Sequence, residues 1–442
     1  MASRRLLLRG GTVVPMSERG LCFEGDVLVE GGRIAQVGRV VAEGEYETLD
    51  AHGALVLPGF VQVHVHVVQS LARHRAERLP LLRWLQAHIW PYEAALTAEE
   101  VAAAARLGIA ELLCSGTTAA LDMGTTRHQD AIFQTAQELG IRLTSGLCLM
   151  DSGEGVPQGL ATTTEDALAS AESSGQRWHG ACGGRLRYAV SPRFALSCSE
   201  RLLGESARLA HRHGWILQTH ASENREETEA VRRATGRGNV EFLDSVGISG
   251  PSTVLAHCIH LDAQEVTLLA QRGTGVAHCP GANLKLASGI ADVPLLLARG
   301  VRVGLGADGP PCNNRLSIFH EMALAGTLHN LRHGAGAVDP WTVLEMATWR
   351  GAEVAGLAQV GRLLPGWRAD LVVLSLDAWA LQPFTDPATV VVYGGGVESV
   401  RHVVVDGEPV VREGELVTAH ASEIRRDVRA AATALAARLG WE

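Results

Sequence analysis

From Leu57 onward, short β-branched runs alternate with longer stretches of helical period, and the alternation repeats eight times. The runs are Phe60–His66, Thr117–Asp122, Leu143–Leu149, Leu186–Phe194, Ile216–Ser222, Val254–His260, Gly275–Cys279 and Val301–Asp308. Between them lie amphipathic segments such as Ala98–Leu113 (with Thr97 as its N-cap), Asp130–Leu139, Ser199–His213, Glu226–Thr235, Ala263–Arg272 and Val293–Arg299. Apolar residues every three to four positions mark helices with one buried face, and β-branched runs bounded by turns mark strands. Parallel strands need a crossover, for which a helix is the usual solution. Eight successive βα units predict an α/β fold, a (β/α)8 barrel of the TIM type.

The two ends of the chain have a different texture. Residues 5–56 alternate as β structure, with turns at Gly10-Gly11, Glu24-Gly25 and Gly31-Gly32. The pattern resumes in Ala369–Leu374, Val390–Tyr393 and Val403–Glu408, before a helical stretch at Ala421–Leu439. The expectation is a small β-sandwich domain built from residues 1–56 plus 362–442, flanking a catalytic barrel over residues 57–361. At 442 residues, 46% hydrophobic and 20% charged, the composition is that of a soluble enzyme. The net charge of −9 shows no basic stripe, which argues against nucleic acid as a partner. No run of 18 apolar residues suggests a membrane span, and the basic start before Leu6-Leu7-Leu8 is too short for a signal-peptide core. A cytoplasmic location is expected. The eight cysteines are scattered without a CxxC, so no disulfide framework is indicated.

Barrel enzymes gather their chemistry at the carboxyl ends of the strands. His64 and His66 stand there as an i, i+2 pair, which in a strand projects both imidazoles to one face, about 6–7 Å apart. Arg193, His220, Glu223, His257, His278 and Asp308 occupy the corresponding ends of later strands. One strand histidine reads as a packed, hydrogen-bonded core residue. Five at one rim, with an aspartate, are hard to explain that way, since each buried imidazole needs its own partner. A divalent cation would be a shared one, and neutral nitrogens with a carboxylate suit zinc or ferrous iron.

This arrangement resembles the amidohydrolase superfamily, within it the metal-dependent cyclic deaminases. The likeness includes Leu57-Pro58-Gly59-Phe60 before the histidine pair and Leu364-Pro365-Gly366-Trp367-Arg368-Ala369-Asp370-Leu371 opening the terminal β segment. It implies one divalent metal ion, zinc before iron, on His64, His66, His220 and Asp308. It further implies a catalytic Glu223 protonating the ring, Asp308 taking the proton of water, and His257 holding the attacking oxygen. Two-metal relatives use a barrel lysine or another bridging group; the sole lysine here, Lys285, lies beyond the seventh strand, and Arg193 puts a fixed positive charge near a second cation's place. One metal is expected.

For the substrate, the resemblance divides. His64-Val65-His66-Val67-Val68-Gln69, the segment Leu79–Leu85 containing Trp84, and Ser191-Pro192-Arg193-Phe194 look like guanine deaminase. Gln69 and Arg193 would then read a carbonyl-bearing ring, with Phe194 available to stack; a structural Arg193 paired with an acid is the competing interpretation. His257-Cys258-Ile259-His260, Asn283-Leu284-Lys285-Leu286 and Ala307-Asp308-Gly309-Pro310 look more like the enzymes of S-adenosylhomocysteine and methylthioadenosine. Glu93 matches an acidic position that contacts ribose in those enzymes, and His278 is equally a substrate contact or a hydrogen-bonding support. A histidine usual near the fourth strand's end in the nucleoside enzymes is absent, and this favours a guanine-like purine or related oxo-ring. Adenine nucleosides and an s-triazine-like ring are the alternatives. The expected partner is a small heterocycle, and family analogy suggests a homodimer.

Overall fold

The computed structural model describes residues 5–41 and 43–441; the basic start of the chain, residues 1–4, lies outside them. The eight barrel strands are Phe60–Val65, Thr117–Asp122, Arg142–Ser145 with its continuation Cys148–Leu149, Leu186–Pro192, Ile216–Ala221, Thr253–His257, Gly275–His278 and Arg302–Leu305. They are hydrogen-bonded in chain order, each parallel to the next. Closure comes from the backbone of the site itself. Val65 bridges Asp308, the Asp308 N–H donates to His64 O at 3.1 Å, and the His66 N–H donates to Asp308 O at 3.3 Å. The residues flanking the first strand's end are therefore fixed against the last strand's exit by the main chain.

Several strands are shorter than their apolar runs predict, and the difference falls at the rim. Ser222, His257, Cys258 and Asp308 all adopt positive φ, at 51°, 73°, 48° and 60°. A non-glycine residue in that region costs about 1–3 kcal/mol and persists only where its surroundings over-determine it. The third strand breaks at Gly146, where a Cβ would lie 1.8 Å from Ala189 O.

The helices follow their caps. Ala98–Cys114 opens on a capping box in which Thr97 Oγ1 accepts from the Glu100 N–H and Glu100 Oε2 accepts from the Thr97 N–H. Inside the barrel, Val61, Val63, Ala119, Leu121, Ala189, Val254, Ala256 and Ala277 pack as one apolar cluster that continues into Leu81, Trp84, Leu85, Phe194 and Leu286.

The two chain ends make one nine-stranded sheet. Its centre is Ala54–Pro58, parallel to Arg5–Val13 on one side and antiparallel to Leu371–Ser375 on the other. Buried Arg142 on the third barrel strand fastens this sheet to the barrel through both oxygens of Asp370, at 2.7 and 3.0 Å, and through Asp406 at 3.0 Å. Val390–Tyr393 departs from the expectation: it is a π-helical turn, not a strand. Asp386 caps the preceding turn with Pro387 at its first position, and the three valines are buried while Tyr393 Oη donates to Gly326 O. Packing overrides β propensity here. The helix Ala421–Leu439 forms as expected and lies on the barrel helix Ala98–Cys114, with Arg438 paired to Glu100 and Trp441 stacked 6.0 Å from Tyr92.

Candidate active site

The barrel brings the expected histidines together. One donor atom from each of His64, His220, His257 and Asp308 lies within 4.8 Å of the others. His66 joins this group, its Nε2 standing 3.2 Å from His220 Nε2 and 3.3 Å from Asp308 Oδ1, while His64 Nε2 is 3.4 Å from the same oxygen. Burial pushes the imidazoles of His64, His66 and His220 below the usual histidine range, so each is neutral. His220 Nδ1 donates to Arg193 O at 2.7 Å, which leaves its Nε2 lone pair facing His66 Nε2. These ring nitrogens and the carboxylate oxygen converge closely enough for one cation to be shared among them. His64 Nε2 and His257 Nε2 are also buried without a hydrogen-bond partner. The donor set fits one divalent ion of the zinc or iron kind.

Around this cluster, Glu223 and His257 face each other, His257 Nε2 lying 3.4 Å from Glu223 Oε2 and 3.9 Å from Asp308 Oδ2. Burial, then the nearby charges of Asp308 and Glu227, holds the Glu223 carboxyl well above the usual range, which favours its protonated form. Glu227, which the sequence reading passed over, accepts the N–H groups of Glu223 and Asn224 and the Asn239 amide, fixing the turn. Ser288 Oγ donates to Glu223 Oε1 at 3.3 Å, and the His257 Nδ1–H donates to Asn283 Oδ1 at 2.8 Å. Cys312 Sγ–H donates to Asp308 Oδ2 at 3.2 Å.

The pocket over the cluster is lined by His66, Gln69, Arg193, His220, Glu223, Glu227 and Asp308 on its polar side and by Leu81, Trp84, Leu85, Phe194 and Leu286 on the other. Gln69, Trp84, Arg193 and Phe194 all stand on this lining. Glu93 is not on the wall. It sits behind Gln69 and Arg193, accepting from Arg193 Nη1 at 2.5 Å and Nη2 at 3.3 Å and from Gln69 Nε2 at 2.9 Å. His278 is also off the wall: both ring nitrogens are buried without partners, beside the His329 ring at 5.4 Å. Lys285 Nζ is tied to Glu77 and Pro311 O, away from the cluster. Leu81 and Leu85 escaped notice although Leu81, Trp84 and Leu85 stand at i, i+3, i+4, the spacing of one helix face.

The family model for the amidohydrolase family matches residues 55–410. The chain belongs to the amidohydrolase family. It is 36% identical over 440 residues to a 5′-deoxyadenosine deaminase of Methanothermobacter thermautotrophicus, covering 98% of this chain and all of that one. It is 39% identical to a 5-methylthioadenosine/S-adenosylhomocysteine deaminase of Syntrophobacter fumaroxidans, over 96% and 97% of the two chains. Among solved structures, a zinc-bound adenosine deaminase from Xanthomonas campestris superposes with a TM-score of 0.92 at 28% identity, over 98% of each chain. E. coli guanine deaminase superposes at 0.81 and 27%, over 93% of this chain and all of its own. The amidohydrolase is a hydrolase of amidine C–N bonds, a deaminase, and the nucleoside-enzyme likeness read in its second half extends over the full length.

Proposed function

We propose that this amidohydrolase deaminates an adenine nucleoside with a modified 5′ position, water replacing the ring amino group and ammonia leaving. The observation that carries this over the guanine-like purine is the full-length similarity, at 36% and 39% identity, to two enzymes named for adenine nucleosides. Arg193 gives one N–H of each Nη to Glu93 and Gln69 gives one amide N–H to the same carboxylate, while Gln69 Oε1 is buried without a hydrogen-bond partner.

His64, His66, His220 and Asp308 would hold a single divalent cation, which supplies Lewis acidity that brings water ionisation toward neutral pH. The remaining chemistry belongs to the chain. Protonated Glu223 delivers its proton to the ring nitrogen beside the reacting carbon. Asp308, within 3.4 Å of His64 and His66 and 3.9 Å from His257, accepts the proton of the incoming water. His257, with Nδ1–H committed to Asn283, offers Nε2 as an acceptor that orients that water. Trp84 and Phe194 flank the heterocycle with the leucines of the same wall.

An ammonia-release screen over 5′-deoxyadenosine, methylthioadenosine, S-adenosylhomocysteine, adenosine, guanine and a pterin tests the reading. Turnover is expected for the 5′-modified nucleosides. Turnover confined to guanine or the pterin overturns the substrate, and ammonia from none of them refutes the proposal.

A further inference from the structure

One buried carboxylate outside the reaction chemistry touches the supports of two site residues at once. Glu321, on the helix Ile318–Thr327, is wholly buried. Its Oε2 accepts the Gly281 N–H at 2.9 Å and its Oε1 accepts from Asn313 Nδ2 at 2.7 Å. Gly281 belongs to the short helix Pro280–Lys285, which carries Asn283, the partner of His257 Nδ1. Asn313 Nδ2 also donates to Ala307 O at 2.8 Å, next to Asp308, and closes the turn in which Cys312 contacts the Asp308 carboxylate. The approach is tight: a Cβ at Gly281 would lie 2.6 Å from Asn313 Nδ2 and 2.7 Å from Glu321 Oε1. Glycine is what lets the two loops close on the carboxylate.

We propose that Glu321 is a positioning residue that sets the spacing of His257 and Asp308 by clamping the loops after the seventh and eighth strands, through Gly281 and Asn313. A carboxylate is suited to the place because it accepts on both oxygens, whereas an amide must turn a donor toward one of two donors. Small misplacements of reacting groups lower turnover far more than binding. A purely structural Glu321 would move stability alone.

The test uses Glu321→Gln and, because that variant can fail to fold, Gly281→Ala, which keeps the carboxylate and pushes the loops apart. Metal-depleted protein is loaded with Co2+ alone, and stoichiometry and the visible ligand-field spectrum are compared with wild type. Equal stoichiometry with an altered spectrum is expected, since Asp308 shifts while the donor set remains. With each enzyme fully loaded, kcat should fall about tenfold to a hundredfold with KM within about threefold. This kinetic arm rests on the deaminase reading: a wild type that releases no ammonia refutes that reading, while the cobalt spectra still decide Glu321. Spectra that superimpose on wild type, turnover that falls only in proportion to lost metal, or unchanged kcat overturns the proposal. So does failure of both variants to fold, which assigns Glu321 to fold support.

Discussion

Replacing Glu93 with glutamine isolates the charge behind the pocket wall. The swap preserves shape, so no cavity contributes. What changes is the partner of Arg193, whose side chain, like that of Glu93, is 4% exposed. At an effective dielectric of 20, two unit charges about 4 Å apart attract by about 4 kcal/mol. Removing one member of a buried pair costs about 3–5 kcal/mol, because the other charge stays buried without compensation. The two routes agree. For 442 residues the unfolding entropy near the midpoint is about 0.9 kcal/mol/K, so about 4 kcal/mol lowers Tm by about 4 °C.

The kinetic consequence is separate from the thermal one. In the Glu93→Gln variant the new amide would present its N–H2 toward Arg193 or toward Gln69, and either choice sets donor against donor. Gln69 then turns on the pocket wall, so kcat/KM for the adenine nucleoside falls about tenfold or more, the worth of one buried hydrogen bond to a ligand. Metal content stays at the wild-type level, since Glu93 touches none of the donor side chains. Calorimetry of the metal-loaded protein and initial-rate ammonia release measure the two effects. A Tm within about 1 °C of wild type together with unchanged kcat/KM would show that the pair neither stabilises the barrel nor holds Gln69.

Glu223→Gln should keep its metal and lose about 10²–10⁴-fold in ammonia release, the range for a general acid; near-normal turnover by that variant refutes the role. Exhaustive chelation should abolish turnover and lower Tm, and stoichiometric zinc or ferrous iron should restore both, as binding to the native state alone requires; activity that survives with no metal measurable contradicts the site. Burial holds the His329 imidazole down to about 4. Its folded pKa lies below the unfolded value, so the unfolded chain binds the extra proton first, and stability falls as pH drops from about 6.5 toward 4. His329→Gln should flatten that fall by a few degrees of Tm between pH 6.5 and 4.5, and superimposable pH profiles of Tm for the two proteins would rule it out.

The parts of the site legible in the sequence are those that a strand imposes by itself. His64 and His66 share a face because side chains alternate, and His220, His257 and Asp308 follow once each run is known to end at the same rim. The residues that escaped are held by contacts between distant segments. Glu93 is 24 positions from Gln69 and 100 from Arg193, so no local pattern could show that one carboxylate occupies both. The sequence supplied the two interpretations of Arg193, as ring reader and as partner of an acid, and only the packing of the first loop against the fourth strand sets the weight between them. Asn283, Cys312 and Glu321 are hidden for the same reason. Each acts on a neighbour contributed by another turn of the chain or by the backbone bend that follows a strand, and Val390–Tyr393 shows how readily such packing reverses a propensity.

Strain at the rim follows from the same division. Strand ends that were expected to run straight through His257 and Asp308 instead bend into positive φ at those residues. An extended backbone would carry the two side chains on along the strand direction. The bends turn them toward one another, to 3.9 Å, and the hydrogen bonds from His257 to Asn283 and from Cys312 to Asp308 hold the result. The apolar alternation that made the barrel readable therefore ends where the chemistry begins, because a regular strand cannot deliver histidine and aspartate from separate strands to one point.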